Sequence, residues 1–223
     1  MKNKLFIFGD SMSTNFTTTN EVEIDESWPV LLSKKLNLEL KNYSIIGASN
    51  GEIINKFFEI YKEINSNDVV IIQIGFWERI HDNFRNTSVL LGYDTDDRFL
   101  KIEMDYYKYK ILEPDEYITQ DIIKFAFIVN YLKKIGCSVY GWMIDKQISS
   151  NYKRAYAHMF GHLKEDFEKN FIRFEDTYSC MDGFIEPNSK YWCHTGDKHF
   201  NKIAHSNFFQ YLYQYIQLKK YEI

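Results

Sequence analysis

A serine near the start of the chain and an acid–histidine pair near its end are the residue types that acyl transfer requires. Ser11 stands in Gly9-Asp10-Ser11, and the pair stands in Gly196-Asp197-Lys198-His199. A serine hydroxyl is a weak nucleophile until a base removes its proton during attack. His199 is the candidate base, because neutral imidazole titrates near physiological pH. Asp197 would orient that ring and stabilise the imidazolium. The oxyanion that forms on attack needs preorganised N–H donors. The backbone N–H of Ser11 is one candidate, by its place in a turn.

Position decides whether such a serine is usable. Leu5 to Phe8 is a short apolar run that reads as a buried strand, and Gly9 lets the backbone turn sharply at its end. A serine on that turn stands at the carboxyl edge of a sheet, where open α/β sheets place their ligands. The remaining chain alternates strand and helix, which argues for a parallel sheet with helices on both faces. A helix is expected from about Trp28 to Leu36, with Ser27 as N-cap and Pro29 in its first turn. A strand follows from Leu38 to Tyr43, then a helix from about Glu52 to Ile64. Val69 to Ile74 is β-branched and apolar almost throughout, which places it in the sheet centre. Tyr117 to Ile135 fits a long helix stopped by Gly136, and Cys137 to Met143 a strand. Residues 151–169 read as helix, Phe171 to Phe174 as a short strand, and Asn201 to Lys219 as the last helix. Residues 76–116 interrupt this rhythm. Within them Arg79-Ile80-His81-Asp82 and Tyr93-Asp94-Thr95-Asp96-Asp97 read as loops or short helices. The stretch is either a surface excursion or a lid over the site.

The Gly9-Asp10-Ser11 block and the Asp197, His199, Phe200, Asn201, Ala204, His205 block together resemble the SGNH hydrolase family, also called GDSL esterases. The resemblance implies an α/β fold of three layers, α/β/α, with a central, mostly parallel sheet of flavodoxin-like type. It implies one domain over residues 1–223, with an irregular insertion or lid at about 76–116. Ser11 is then the nucleophile, His199 the base and Asp197 the acid. The family usually spaces acid and base as Asp-x-x-His, whereas this chain has Asp-x-His. That leaves open a Ser/His dyad in which Asp197 caps the following helix. His194 lacks the pattern that follows His199, and His205 is expected to pack or hydrogen-bond in the last helix. Gly47 matches the glycine of the family's second block, whose N–H points into the site, and Asn42 the asparagine before it; a plain turn glycine is the alternative. The third block departs. Where the family has Gly-x-Asn-Asp, this chain reads Gly75-Phe76-Trp77-Glu78. Trp77 stands in place of an oxyanion donor, either donating through its indole N–H or forming a wall of the substrate pocket. Asn50 is a candidate for the missing amide. Asp10 is assigned with Trp77 to the substrate pocket.

Composition bounds the rest. A chain of 223 residues suits a single α/β domain, and a 45% apolar share allows a full core. With 17 Tyr and 18 Phe, part of the aromatic excess is expected at the surface or lining a cleft. The net charge is -4 and no basic run stands out, which argues against nucleic acid as a partner. No run is long enough for a membrane span, and the first strand starts directly behind Met1-Lys2-Asn3-Lys4, which gives the expectation of a cytoplasmic protein. Cys137, Cys180 and Cys193 are odd in number, lack metal-ligand spacing and read as reduced thiols. No Walker loop, dinucleotide fingerprint or metal-site spacing is present, so no cofactor is expected. The expected function is a serine esterase acting through an acyl-enzyme on Ser11. Its substrate would be a small-molecule or carbohydrate ester, with O-acetyl on a carbohydrate the leading case. The alternatives are an O-acyltransferase on the same scaffold, or a catalytically impaired binding module, for which Trp77 is the main support.

Overall fold

The computed structural model describes residues 2–14, 22–75, 79–82, 87–90, 114–143, 192–194 and 197–220. Its first strand, β1, spans Lys4–Phe8, and a 3-10 turn follows at Ser11–Ser13. Helix α1 spans Trp28–Leu36, β2 Glu39–Asn42, α2 Asn50–Ile60 and β3 Val69–Ile74. Strands β4 (Arg79–Asp82) and β5 (Thr87–Leu90) come next, then helix α3 over Pro114–Lys134 and β6 over Ser138–Met143. The chain closes with β7 (Trp192–His194), β8 (Asp197–Phe200) and helix α4 (Lys202–Lys220).

Four of these strands form one sheet in the order β2-β1-β3-β6, and every pairing in it is parallel. β1 and β3 are therefore interior, and their residues from Leu5 to Phe8 and from Val69 to Ile74 are all buried. The expectation that Val69 to Ile74 lies in the sheet centre is met. Two faces follow from the register. Phe8 stands beside Ile72 and Gly141, and Gln73 stands beside Trp142 one residue on. Side chains alternate along a strand, so these rows point to opposite sides. Phe8 meets Phe57 of α2, with ring centroids 5.7 Å apart, while Trp142 meets Trp28 of α1 and Phe208 of α4. The result is a three-layer α/β/α arrangement, with α2 and α3 on one side of the sheet and α1 and α4 on the other.

The strand order reverses at β1, whose neighbours are β2 on one side and β3 on the other. A crevice opens at such a switch point beyond the carboxyl ends of the strands. The Ser11 turn follows β1 and Gly75 follows β3, so both stand there.

Several elements differ in their ends from the sequence reading. α2 begins at Asn50 rather than Glu52, because Ser49 caps it in a capping box with Glu52. It closes at Ile60 and tightens into a 3-10 turn over Tyr61–Glu63. α3 begins at Pro114, a residue suited to the first turn of a helix. It ends at Lys134 and is closed by Gly136 in a Schellman motif, with Cys137 N–H donating to Leu132 O and Gly136 N–H to Lys133 O. Residues 79–82 are not a loop or short helix: they form β4, antiparallel to β5, where Ile80 stands opposite Val89. The β-branched residues Ile80, Thr87 and Val89 suit that ladder, and four residues alone carry too little pattern to reveal it without their partner. The hairpin packs against α2. Tyr93 to Asp97, the helix expected over 151–169 and the strand expected at Phe171 to Phe174 lie outside the described residues.

Candidate active site

Ser11 opens the 3-10 turn that follows β1 and is partly exposed. The turn owes its shape to Asp10, its N-cap. The Asp10 carboxylate accepts the N–H of Met12 at 2.9 Å and its carbonyl accepts the N–H of Ser13 at 3.0 Å. The same carboxylate also accepts a hydrogen bond from the Gln73 side-chain amide of β3, and the Gln73 amide oxygen accepts from the Ser13 hydroxyl and from Asp10 N–H. Gly9 is where this network meets the strand. A Cβ there would come within 2.6 Å of Gln73 Oε1 and 2.8 Å of Ser13 Oγ, so no side chain fits. The sequence assigns Asp10 to the substrate pocket; the bonds described for it shape the turn itself. Asp10 is 1% exposed, and its Oδ1 and its backbone carbonyl hold the turn that presents Ser11.

The segment after β2 wraps around this turn. Asn42 donates to the carbonyl of Ser13 at 2.7 Å and accepts the N–H of Ser44 at 3.0 Å. Ile45 N–H then donates to Gly9 O at 3.0 Å, which pins the loop to the end of β1. Two residues on, Gly47 lies at φ +74°, a conformation that favours glycine. Gly47 thus sits on a loop tied to the nucleophile turn from both sides.

Asn50 is drawn the other way. It is 1% exposed, its amide oxygen accepts Gly75 N–H at 2.9 Å and its amide nitrogen donates to Asp121 of α3 at 3.1 Å. The amide considered as an oxyanion donor is engaged in joining the end of β3 to α3. Asp121 is buried, and burial pushes its carboxyl up to about 6, against the opposing influence of Lys124 and of the Asn50 hydrogen bond. Trp77 lies outside the described residues.

The histidine segment reaches the same place from the other end of the chain. β8 carries Asp197 and His199 at alternate positions and pairs antiparallel with β7, with His194 opposite Asp197. β8 packs against the Ser11–Ser13 turn, which brings the segment holding His199 to the nucleophile. His199 is partly exposed, while the next residue, Phe200, is 1% exposed and faces the core. The alternative in which Asp197 caps the last helix does not hold. That helix starts at Lys202, and its cap is Asn201, whose side-chain oxygen accepts Ala204 N–H at 3.1 Å. His205 is 4% exposed and hydrogen-bonded, as expected, with Nδ1 accepting Trp28 N–H at 3.2 Å. Burial, and then the nearby His199, push its imidazole down to about 4.

Four supporting residues escaped the sequence reading: Gln73, Ser13, Asp121 and Trp28. Two carried a signal. Gln73 is the one amide in an apolar strand, and Asp121 falls on the apolar face of its helix, four residues before Phe125. A polar residue at a core position has a partner there. Among the described residues no group of His, Cys, Asp and Glu could hold a metal ion, and no helix is long and apolar enough to cross a membrane. Cys137 is a buried free thiol, pushed up to about 11 by its burial and secondarily by Asp68.

No family model and no curated protein matches the chain. Solved structures do, over nearly their whole length. A psychrotrophic esterase from Pseudoalteromonas sp. aligns with a TM-score of 0.56 at 16% identity, covering 96% of this chain and 97% of that one. An acetyl-xylooligosaccharide esterase from Geobacillus, in a mutant form, aligns with a TM-score of 0.52 at 14% identity, covering 96% and 93%. A lipolytic protein of the G-D-S-L family from Desulfitobacterium hafniense gives 0.51 at 12% identity, covering 95% and 98%. The chain therefore has the SGNH hydrolase fold, the one its two terminal blocks imply.

Proposed function

We propose that this protein is a serine ester hydrolase that cleaves a small O-acyl group, O-acetyl on a carbohydrate, through an acyl-enzyme on Ser11. The observation that carries the reading is the meeting of the Ser11 turn with the strand that bears His199, at the switch point of an SGNH-type sheet. The likeness to an acetyl-xylooligosaccharide esterase supports the substrate class.

In this mechanism His199 takes the Ser11 hydroxyl proton as the oxygen attacks the acyl carbon. The N–H groups of Ser11 and Gly47 hold the negative charge on the former carbonyl oxygen. The intermediate collapses as the His199 proton passes to the departing alcohol. Water, deprotonated by His199, then attacks the acyl-enzyme and releases the acid. Asp197 orients the His199 ring. Asn50 braces the end of β3 against α3 through its bonds to Gly75 and Asp121, and the second N–H of its amide is the candidate third oxyanion donor. Trp77 follows the carboxyl end of the central strand and would wall the acyl or alcohol pocket.

The test is turnover of p-nitrophenyl acetate and acetylated sugars, run beside Ser11→Ala and His199→Ala. Each variant should lose nearly all activity, and the double variant should be little worse, because the two act as a unit. An inactive wild type, or a Ser11→Ala variant with full turnover, overturns the reading.

A further inference from the structure

One residue touches both ends of the site. Trp28 opens α1, and its indole N–H donates to the carbonyl of Met12 at 2.9 Å, one residue past the nucleophile. Its backbone N–H donates to His205 Nδ1 at 3.2 Å. The first N–H groups of a helix have no partner within it. Ser27 stands at the N-cap but makes no capping bond; its hydroxyl donates instead to Ile24 O. α1 is thus capped across the fold by a histidine from α4.

That histidine in turn bears on the base strand. His205 stands edge-on to the ring of Phe200, centroids 5.4 Å apart at 85°, and Phe200 is the residue after His199. Phe200 also packs on Phe208, which packs on Trp28 at 5.3 Å. Because Nδ1 accepts, the His205 proton sits on Nε2, and the ring is held in one tautomer. The Glu26–Lys202 ion pair joins the 3-10 turn at Ile24–Glu26, just before α1, to the start of α4 at the surface. A closed path of contacts thereby runs from Met12 through Trp28, His205 and Phe200 to the strand of His199.

We propose that Trp28 and His205 are positioning residues that hold the Ser11 turn and the His199 strand in register. The inference rests on the esterase reading for its kinetic test and on geometry alone for its spectroscopic one. Trp28→Phe keeps an aromatic ring in the core and removes the indole N–H together with part of the ring volume. His205→Leu removes the acceptor, whereas His205→Asn retains an oxygen that can take its place.

Misplacement of reacting groups by about 1 Å costs on the order of 10²-fold in rate. Trp28→Phe and His205→Leu should therefore lower kcat by about 10- to 100-fold with KM nearly unchanged, in protein shown to be folded by its unfolding midpoint. His205→Asn should recover most of the loss. The second readout needs no activity: the ring ¹⁵N signals of His199 in solution NMR should move in Trp28→Phe and His205→Leu and return towards wild type in His205→Asn. If the wild type turns over no ester, the esterase reading fails, and the NMR comparison still decides the clamp. Folded Trp28→Phe with wild-type kcat overturns the proposal, and so do unmoved His199 signals.

Discussion

The turn that carries Ser11 is held by polar groups, and the strand that carries His199 is held by rings. Around Ser11 the contacts are hydrogen bonds in which Asp10, Gln73, Ser13 and Asn42 take part. Around β8 they are Phe200, Phe208, Trp28 and Trp142, all 1% exposed or less, with His205 at their edge. Hydrogen bonds are directional and weaken steeply off axis, so they fix where a backbone N–H points. Ring packing fills volume and fixes distance, with looser demands on direction. The nucleophile turn has to aim an N–H at a developing oxyanion, while the base strand has only to deliver a side chain that can still rotate. Each device matches the tolerance of the group it serves.

The sharpest way to break this comparison is to empty the ring cluster. Phe208 is fully buried against Trp28, Trp142 and Phe200. Phe208→Ala should lower stability by about 3–5 kcal/mol in urea unfolding. Its kcat per folded molecule should fall far less than the stability suggests. A collapse of kcat at unchanged stability would mean that the rings set direction after all.

A second test uses two buried titratable groups, His205 and Asp121, one on each side of the sheet, whose pH dependences oppose each other. His205 lies at about 4 against an ordinary 6.5. Its contribution is present above pH 6.5 and is lost as pH falls towards 4, because the unfolded chain binds the proton first. Asp121 lies at about 6 against an ordinary 3.8. The protonated form is the favoured one in the fold, so its contribution is fullest below pH 3.8 and is lost as pH rises through 6. The charged or titratable neighbours are His199 for the first and Lys124 for the second. Each effect is worth up to about 3 kcal/mol at roughly 1.4 kcal/mol per pH unit. Between pH 4 and 6 the two should largely offset one another. Asp121→Asn should expose a loss of stability on acidification, and His205→Asn a gain. Parallel urea-midpoint profiles for all three proteins would show that neither group is buried as described.

How much of this was legible beforehand follows the same divide. The sheet was readable, because Leu5 to Phe8 is apolar throughout and Val69 to Ile74 is apolar but for Gln73, and the burial of such runs needs no partner to be known. Ser11 and His199 were readable as residue types in blocks. The polar network was not, although Gln73 stood out in its strand, because its partners at positions 10 and 13 lie 60 or more residues away. The bond from Gln73 to Asp10 was hidden for the same reason. The capping of α1 was assigned to Ser27 on local grounds, and only the packing of α4 reveals His205 in its place. The β4–β5 hairpin was missed because strand pairing, not local pattern, makes it.

On the polar side, Gln73→Leu keeps the volume and removes the amide that serves both Asp10 and Ser13. The cost in stability should be about 1–3 kcal/mol, smaller than for Phe208→Ala. The cost in kcat should be larger, on the order of 10²-fold, because the turn loses its aim. If the two variants rank the same way in stability and in rate, the two halves of the site are not held differently.

The smallest effect on stability should come from Gly47, and it decides whether that glycine is a donor or merely a turn. Its φ is +74°, and a Cβ built on it meets nothing within 4 Å, so Gly47→Ala carries backbone strain and no clash. That strain is about 1–2 kcal/mol. The loop can relieve it only by turning the peptide towards negative φ, and that movement re-aims the N–H of residue 47. Pinning of Ile45 to Gly9 limits how far the rest of the loop can follow. If the N–H holds the oxyanion, kcat should drop by up to about 10²–10³ while KM stays nearly constant, since the bond is made only in the transition state. Should Gly47→Ala lower the unfolding midpoint and leave kcat untouched, Gly47 is a turn glycine and the second donor lies elsewhere in the site.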